Sequence, residues 1–283
     1  MAFLDVLFAI TDPGDEIILN VPYYFNHEMA INMLSCKPVI VTTDDQYQLQ
    51  TDKILAAINE KTRAVVTVSP NNPTGAIYPP NELQKVNQMC AEKGIYHISD
   101  EAYENFTFDD LAHFSPASLG DARDHTISLF SLSKTYGFAS FRVGYMVIPE
   151  CLEVSVIKVQ DTNLICPPLI SQYAAIGALK IGSRYCLEKL STIDEIRHGL
   201  LTNLQNLGDF CKYPTIGGAF YLFLGLNTEL SDMEVTKYLI ENHRVAVIPG
   251  HTFGMGDGCY IRVSYGAAGE NFGAFCHKNV FSL

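Results

Sequence analysis

Apolar and polar positions along this chain alternate between a helical period and a strand period. Phe3, Leu4, Leu7 and Phe8 recur at helical spacing and the run stops at Asp12-Pro13-Gly14, which predicts a helix over residues 1–10. Ile17-Ile18-Leu19 reads as a strand, 27–35 as a helix, and Pro38-Val39-Ile40-Val41 as the next strand. Thr51 can cap a helix that runs to about Asn59. The unbroken run Ala64-Val65-Val66-Thr67-Val68 predicts a parallel strand buried on both faces. A helix over Pro80 to Lys93 follows, then strands over 95–99, Thr126 to Phe130 and Arg142 to Ile148. A long helical stretch from about Leu169 to Leu207 leads to apolar segments at Ala219 to Phe223 and Val245 to Ile248. Strands alternating with helices predict an α/β fold whose mainly parallel sheet is flanked by helices. The reading places that large domain in residues 1–190 and a smaller α+β domain in 191–283.

Composition narrows the class. The chain has 283 residues and is 48% hydrophobic, enough for a substantial core. No stretch reaches the roughly 18 apolar residues of a membrane span. Met1-Ala2-Phe3-Leu4-Asp5 has no basic n-region, and Asp5 and Asp12 interrupt the apolar run, so the start does not read as a signal peptide. A net charge of −12 argues against nucleic acid, which needs a basic footprint. The eight cysteines, Cys36, Cys90, Cys151, Cys166, Cys186, Cys211, Cys259 and Cys276, lack metal-ligand spacing. They read as thiols of a cytoplasmic protein, with no metal site expected.

Chemistry concentrates at the predicted strand ends. Lys134 sits in Ser131-Leu132-Ser133-Lys134, and Arg142 comes shortly after in Phe141-Arg142-Val143-Gly144-Tyr145. An amine beside small hydroxyls, with a guanidinium close behind, suits an aldehyde cofactor that carries a phosphate: the amine can form a Schiff base and the others can hold phosphate oxygens. Ser69-Pro70-Asn71-Asn72-Pro73-Thr74-Gly75 comes directly after the buried strand, and such a cluster is also an ordinary turn. Asp100, in Ser99-Asp100-Glu101-Ala102-Tyr103, lies at a strand's carboxyl end, where open α/β sheets bind ligands. Val21-Pro22-Tyr23-Tyr24 offers aromatic faces at another strand end.

Taken in order, these segments and the late Tyr260-Ile261-Arg262-Val263-Ser264-Tyr265 resemble the class I/II aminotransferases, the aspartate aminotransferase-like enzymes of pyridoxal-phosphate fold type I. The resemblance runs to about Gly266 and implies a set of roles. Lys134 would hold pyridoxal 5'-phosphate as an internal aldimine and then act as general base. Asp100 would pair with the pyridine nitrogen, its alternative being a cap for the next turn. Tyr103 and Asn72 would hydrogen-bond the ring oxygen. For Tyr103 the competing reading is a core aromatic. Tyr24 would stack on the ring, with Tyr23 as the competing candidate. Ser131 and Arg142 would bind the phosphate, with Ser133 beside them. Arg262, otherwise a surface strand arginine, would clamp the substrate carboxylate, with Asn72 nearby. Pro249-Gly250-His251-Thr252-Phe253-Gly254 resembles a family loop in which His251 is structural rather than catalytic.

The implied activity is transfer of an amino group between an amino acid and a 2-oxo acid, in amino-acid metabolism and biosynthesis, by a homodimer. The same scaffold also supports a lyase, and a truncated inactive paralogue is a third reading. Residues 155–175 contain no arginine, which disfavours a dicarboxylic substrate. Relatives carry a segment ahead of this first helix that helps cradle the phosphate, so the resemblance implies N-terminal truncation, weaker cofactor binding and impaired dimerisation. From Ala267 through Gly273 to the end of the chain there is no clear amphipathic period, where relatives continue with a helix.

Overall fold

The computed structural model describes residues 1–266. The residues after Gly266, where the sequence shows no clear amphipathic period, and Cys276 among them, lie outside the described residues. The chain opens with helix α1 (Ala2–Ile10), strand β1 (Glu16–Val21), α2 (Phe25–Met33), β2 (Lys37–Thr42), α3 (Thr51–Ala57), β3 (Thr62–Val68), α4 (Pro80–Lys93) and β4 (Tyr96–Asp100). It continues through β5 (Thr126–Ser131), the single-turn α5 (Leu132–Thr135), β6 (Gly144–Val147), α6 (Glu153–Asn163), α7 (Leu169–Ile181) and α8 (Arg184–Gln205). Then come β7 (Cys211–Lys212), β8 (Tyr221–Leu226), α9 (Asp232–His243), β9 (Ile248–Pro249) and β10 (Cys259–Ser264).

Six strands form one sheet in the order β2-β1-β3-β4-β5-β6, parallel except for β6, which runs antiparallel to β5 at the edge. Strand periodicity explains how both faces are filled. Ile17 and Leu19 pack with α1 and with Ala64, Val66, Ile98 and Ile127 on one face. Ile18 and Val65 pack with Ile54, Leu83 and Val86 on the other. Strands buried on both sides must be continuously apolar, and this is why β3 carries no alternation.

The second sheet has the order β7-β8-β10-β9 and its described pairs are antiparallel. Its core face presents Leu222, Leu224, Ile261 and Val263 to Leu200, Leu204, Val235 and Leu239.

The predicted strands and helices match in type, with differences at specific places. The long helical stretch is two helices, broken at Gly182-Ser183. Helix α6 is absent from the sequence reading because its mixture of exposed Val154 and Ile157 with polar residues gives no apolar stripe. Helix α9 is absent from it too, although Ser231 and Glu234 form a capping box there, a signal the sequence does carry. The apolar run at Val245 contributes only the short β9.

Candidate active site

Parallel strands deliver their carboxyl ends to one edge, so the loops after β1, β3, β4 and β5 meet there. Those loops carry Tyr24, Asn72, Asp100 and the Ser131–Lys134 turn.

Asp100 ends β4 with only 16% of its side chain exposed, and each of its oxygens has a partner. Oδ1 accepts the Ala102 N–H at 3.1 Å, which is the turn-capping role. Oδ2 meets His27 Nε2 at 3.0 Å. His27, on the first turn of α2, is buried, packs against the tilted Phe3 ring with centroids 4.2 Å apart and meets the Tyr24 ring edge-on at 5.3 Å. The carboxylate is therefore held in one orientation from behind. Sequence reasoning did not single out His27. Its spacing three residues after Tyr24, on one helix face at a strand end, is the signal that was available. Tyr24 also accepts a hydrogen bond from Asn26 Nδ2 at its hydroxyl, 2.6 Å away. Tyr23 instead packs with the core beneath α1, its N–H bonded to the Phe253 carbonyl at 3.1 Å.

Lys134 lies in α5, a turn capped by Ser131, whose Oγ accepts the Ser133 N–H at 3.3 Å. Its Nζ sits 5.7 Å from the Tyr103 ring centroid and 5.6 Å from that of Phe220. Burial pushes the amine below the usual lysine range, and the Arg262 and Arg142 guanidiniums push it the same way. A lysine that gives up its proton more readily offers more of the free amine, the form that acts as nucleophile and base. Ser131 pairs with Gly144 across the β5–β6 turn, which returns Arg142 to the side of the Ser131 cap. A Cβ on Gly144 would sit 2.5 Å from the Phe130 carbonyl oxygen, so the close pairing of these strands requires glycine there. Arg142 is exposed and its Nη1 donates to the Ala139 carbonyl at 2.9 Å.

The far wall comes from the second sheet. Tyr221 and Phe223 on β8 face away from that sheet's core, as does Arg262 on β10, which pairs with Phe223. Arg262 is half-buried. Its Nη1 donates to Asn72 Oδ1 at 2.7 Å, and its guanidinium lies over the Tyr221 ring at 4.4 Å and the Phe253 ring at 5.1 Å. Its buried Nε has no partner among the described residues. This is not a solvated surface arginine. Burial lowers its proton affinity, while the nearby tyrosines raise it. Tyr103 is buried, with its hydroxyl 2.8 Å from that of Tyr221, and burial first and Tyr221 next raise its pKa well above the phenol range. The core-aromatic description of Tyr103 is correct as far as packing goes, but the same side chain lies beside Lys134. Phe220 and Tyr221, both lining this wall, read in the sequence only as parts of an apolar strand. His251 bonds Asp232 through Nδ1 at 3.0 Å.

The arrangement gathers Lys134, Arg142 and Arg262 around aromatic faces, with one anchored carboxylate opposite. It can hold two anionic groups at once, with an amine between them whose proton is held less tightly than usual. A model of the class I and II aminotransferase family matches residues 2–273. An aspartate aminotransferase of Pyrococcus abyssi is 32% identical over 276 residues, covering 95% of this chain and 70% of the relative. An aromatic aminotransferase of Arabidopsis thaliana is 33% identical over 280 residues, covering 95% of this chain and 68% of the relative. The crystal structure of an aromatic aminotransferase from Pyrococcus horikoshii superposes with a TM-score of 0.90 at 33% identity, covering 97% of this chain and 74% of that one. Two sheets, a lysine turn between two arginines and this extent of likeness agree: the chain belongs to the class I and II aminotransferases.

Proposed function

We propose that the site binds pyridoxal 5'-phosphate at Lys134 and exchanges an amino group between an amino acid and a 2-oxo acid. The observation that carries this is the Lys134 amine, held below its ordinary proton affinity by burial and by two arginines. The residues fit the cofactor. Ser131, Ser133 and Arg142 would take phosphate oxygens, Asp100 the pyridine nitrogen, Asn72 and Tyr103 the ring oxygen, and Tyr24 the ring face. The Arg262 Nε, without a partner among the described residues, is a donor suited to an acceptor such as a carboxylate. When bound, the cofactor supplies an electron sink for the carbanion at the substrate's α-carbon. Everything else falls to this chain. Arg262 orients the substrate by its carboxylate, Asp100, anchored by His27, would hold the protonated pyridine nitrogen, and Lys134 moves the α-proton. Residues 155–175 contain no arginine, which disfavours a dicarboxylic substrate.

The same proposal divides the chain at about residue 190, with α8 running across the division. It includes a cytoplasmic homodimer. One face of α7 exposes Leu169, Ile170, Tyr173 and Ile176 by 50% or more, an apolar surface suited to a second copy. No helix among the described residues is long and apolar enough to cross a membrane.

The test is to titrate pyridoxal phosphate, reduce with borohydride and map the labelled peptide. The expected label is on Lys134, with a 2-oxo acid released when an amino acid is supplied before reduction. A label on another lysine, or no visible absorbance band, refutes the proposal.

A further inference from the structure

Tyr221 touches both halves of the site. Side chains alternate along β8, so Leu222 and Leu224 enter the core while Tyr221 and Phe223 face the opposite way. Antiparallel pairing sets Ser264 opposite Tyr221 and Arg262 opposite Phe223, which makes Arg262 the diagonal neighbour of Tyr221. Hence the guanidinium lies 4.4 Å above the Tyr221 ring. At its other end, the Tyr221 hydroxyl is 2.8 Å from that of Tyr103, a residue 118 positions away.

Tyr221 is also fixed in place by backbone. The N–H groups of Gly217 and Gly218 both donate to the Gly75 carbonyl, at 3.1 and 2.9 Å. Gly75 itself has φ +74°, and a Cβ there would lie 2.9 Å from the Gly218 carbonyl oxygen and 3.1 Å from that of Tyr221. The turn that carries Asn72 is thus bolted to the start of β8. Tyr221 is 5% exposed, so its contacts are not diluted by solvent.

We infer that Tyr221 is a positioning residue that serves both functions of the site: its hydroxyl donates to the Tyr103 oxygen and strengthens Tyr103 as a donor, and its ring carries the Arg262 clamp. This rests on the cofactor reading above. A Tyr103 hydroxyl that donates to the cofactor's ring oxygen leaves its own oxygen free to accept, and Tyr221 is the hydroxyl within reach. Hydrogen bonds in a chain polarise one another, so losing the outer one weakens the inner one. Tyr103 draws negative charge from the ring oxygen, which disfavours protonation at the neighbouring Lys134 nitrogen. A weakened Tyr103 therefore raises the pH midpoint of the bound cofactor's absorbance.

Two variants of the full chain separate the roles. Loaded with pyridoxal phosphate, Tyr221→Phe keeps the ring and loses the hydroxyl. Its absorbance midpoint should rise by roughly 0.2–0.4 pH units, from a cooperative part of about a fifth of a charge-assisted bond. Its affinity for the non-reactive carboxylate 3-phenylpropionate should stay within about twofold, because the cation–π face remains. Tyr221→Leu removes the face and should weaken that affinity roughly three- to thirtyfold. A residue that only fills space would lower thermal stability in both variants without moving the midpoint. An unmoved midpoint in Tyr221→Phe overturns the inference even if Tyr221→Leu fails to fold. Absence of the absorbance band in the unmodified chain refutes the cofactor reading instead.

Discussion

Replacing Arg262 by lysine keeps the charge and removes the fork. In the structure Nη1 is committed to Asn72 Oδ1 at 2.7 Å, the guanidinium plane rests on Tyr221 at 4.4 Å, and Nε is buried and unpartnered among the described residues. A carboxylate arriving in that plane can take Nε while Asn72 keeps Nη1 aligned. An ammonium is a point donor and cannot hold Asn72 and both carboxylate oxygens in one plane. One charge-assisted hydrogen bond is worth about 1.5–3 kcal/mol, and the planar stacking on tyrosine adds about 0.5 kcal/mol or more. A loss of about 2 kcal/mol at the lower end corresponds to roughly thirtyfold in affinity. The assay is titration of 3-phenylpropionate into the cofactor-loaded chain, monitored by absorbance and by calorimetry at one fixed pH and salt concentration. Cofactor affinity should be unchanged, since the residues proposed to hold the phosphate lie on the other sheet. A change in carboxylate affinity below about threefold would show that Arg262 is not the clamp and that its contact with Asn72 serves packing alone.

Three further outcomes are expected. Asp100→Asn retains the Ala102 cap but loses the charge, and single-turnover amino transfer should slow on the order of a hundredfold, a barrier increase of about 2.7 kcal/mol; a rate within fivefold would leave Asp100 as a cap only. Lys134→Met should stabilise the cofactor-free chain at pH 7, read as a higher urea midpoint. The folded chain holds the Lys134 proton less tightly than the unfolded chain, so the penalty is full below the folded pKa and fades as pH rises towards the ordinary lysine value of 10.5; the advantage of the variant should close over that window, and a gap that persists there is the contrary result. Arg197→Met should cost about 2 kcal/mol in urea denaturation: Arg197 is buried, donates to the Ile216 carbonyl at 2.8 Å and stacks over Phe108 at 4.7 Å, while its Asp109 partner is 53% exposed on the side chain and contributes less. A loss under about 0.5 kcal/mol would show that solvent already screens the whole cluster.

The residues that announce themselves in the sequence do so because their chemistry demands a rare local pattern. Lys134 between small hydroxyls and Arg142 two residues ahead of Gly144 are such patterns, and the glycine turns out to be fixed by the approach of Phe130. Strands β1 and β3 are legible because burial on both faces leaves little room for polar residues. What stayed hidden depends on distant contacts. His27 looks like any helix histidine until Asp100 is placed 3.0 Å away. Tyr221 is one more aromatic in an apolar strand until its hydroxyl meets Tyr103. His97 gives no sign of its surroundings either, yet it is fully buried between Thr67 and Asn87, where burial drives its pKa down to about 3. Asn87 Nδ2 donates to His97 Nδ1, so Nε2 carries the proton to Thr67 and the ring is locked neutral in one tautomer. Helix α6 stayed hidden for the opposite reason: its outward apolar residues break the pattern that a buried helix would show.

The hydrogen bond between Arg262 and Asn72 joins residues 190 positions apart. Closing a loop of that length costs roughly 4–5 kcal/mol in chain entropy beyond a constant, so the bond cannot form early on its own strength. It waits until both sheets exist and their own packing has brought the ends together. During synthesis the chain emerges from its amino end, and Lys134, Asp100 and Tyr24 are made well before β10. The half of the site proposed to hold the cofactor can therefore mature first, and the carboxylate clamp completes it last. Order of assembly then doubles as a safeguard: an immature chain has an amine but no grip on a substrate.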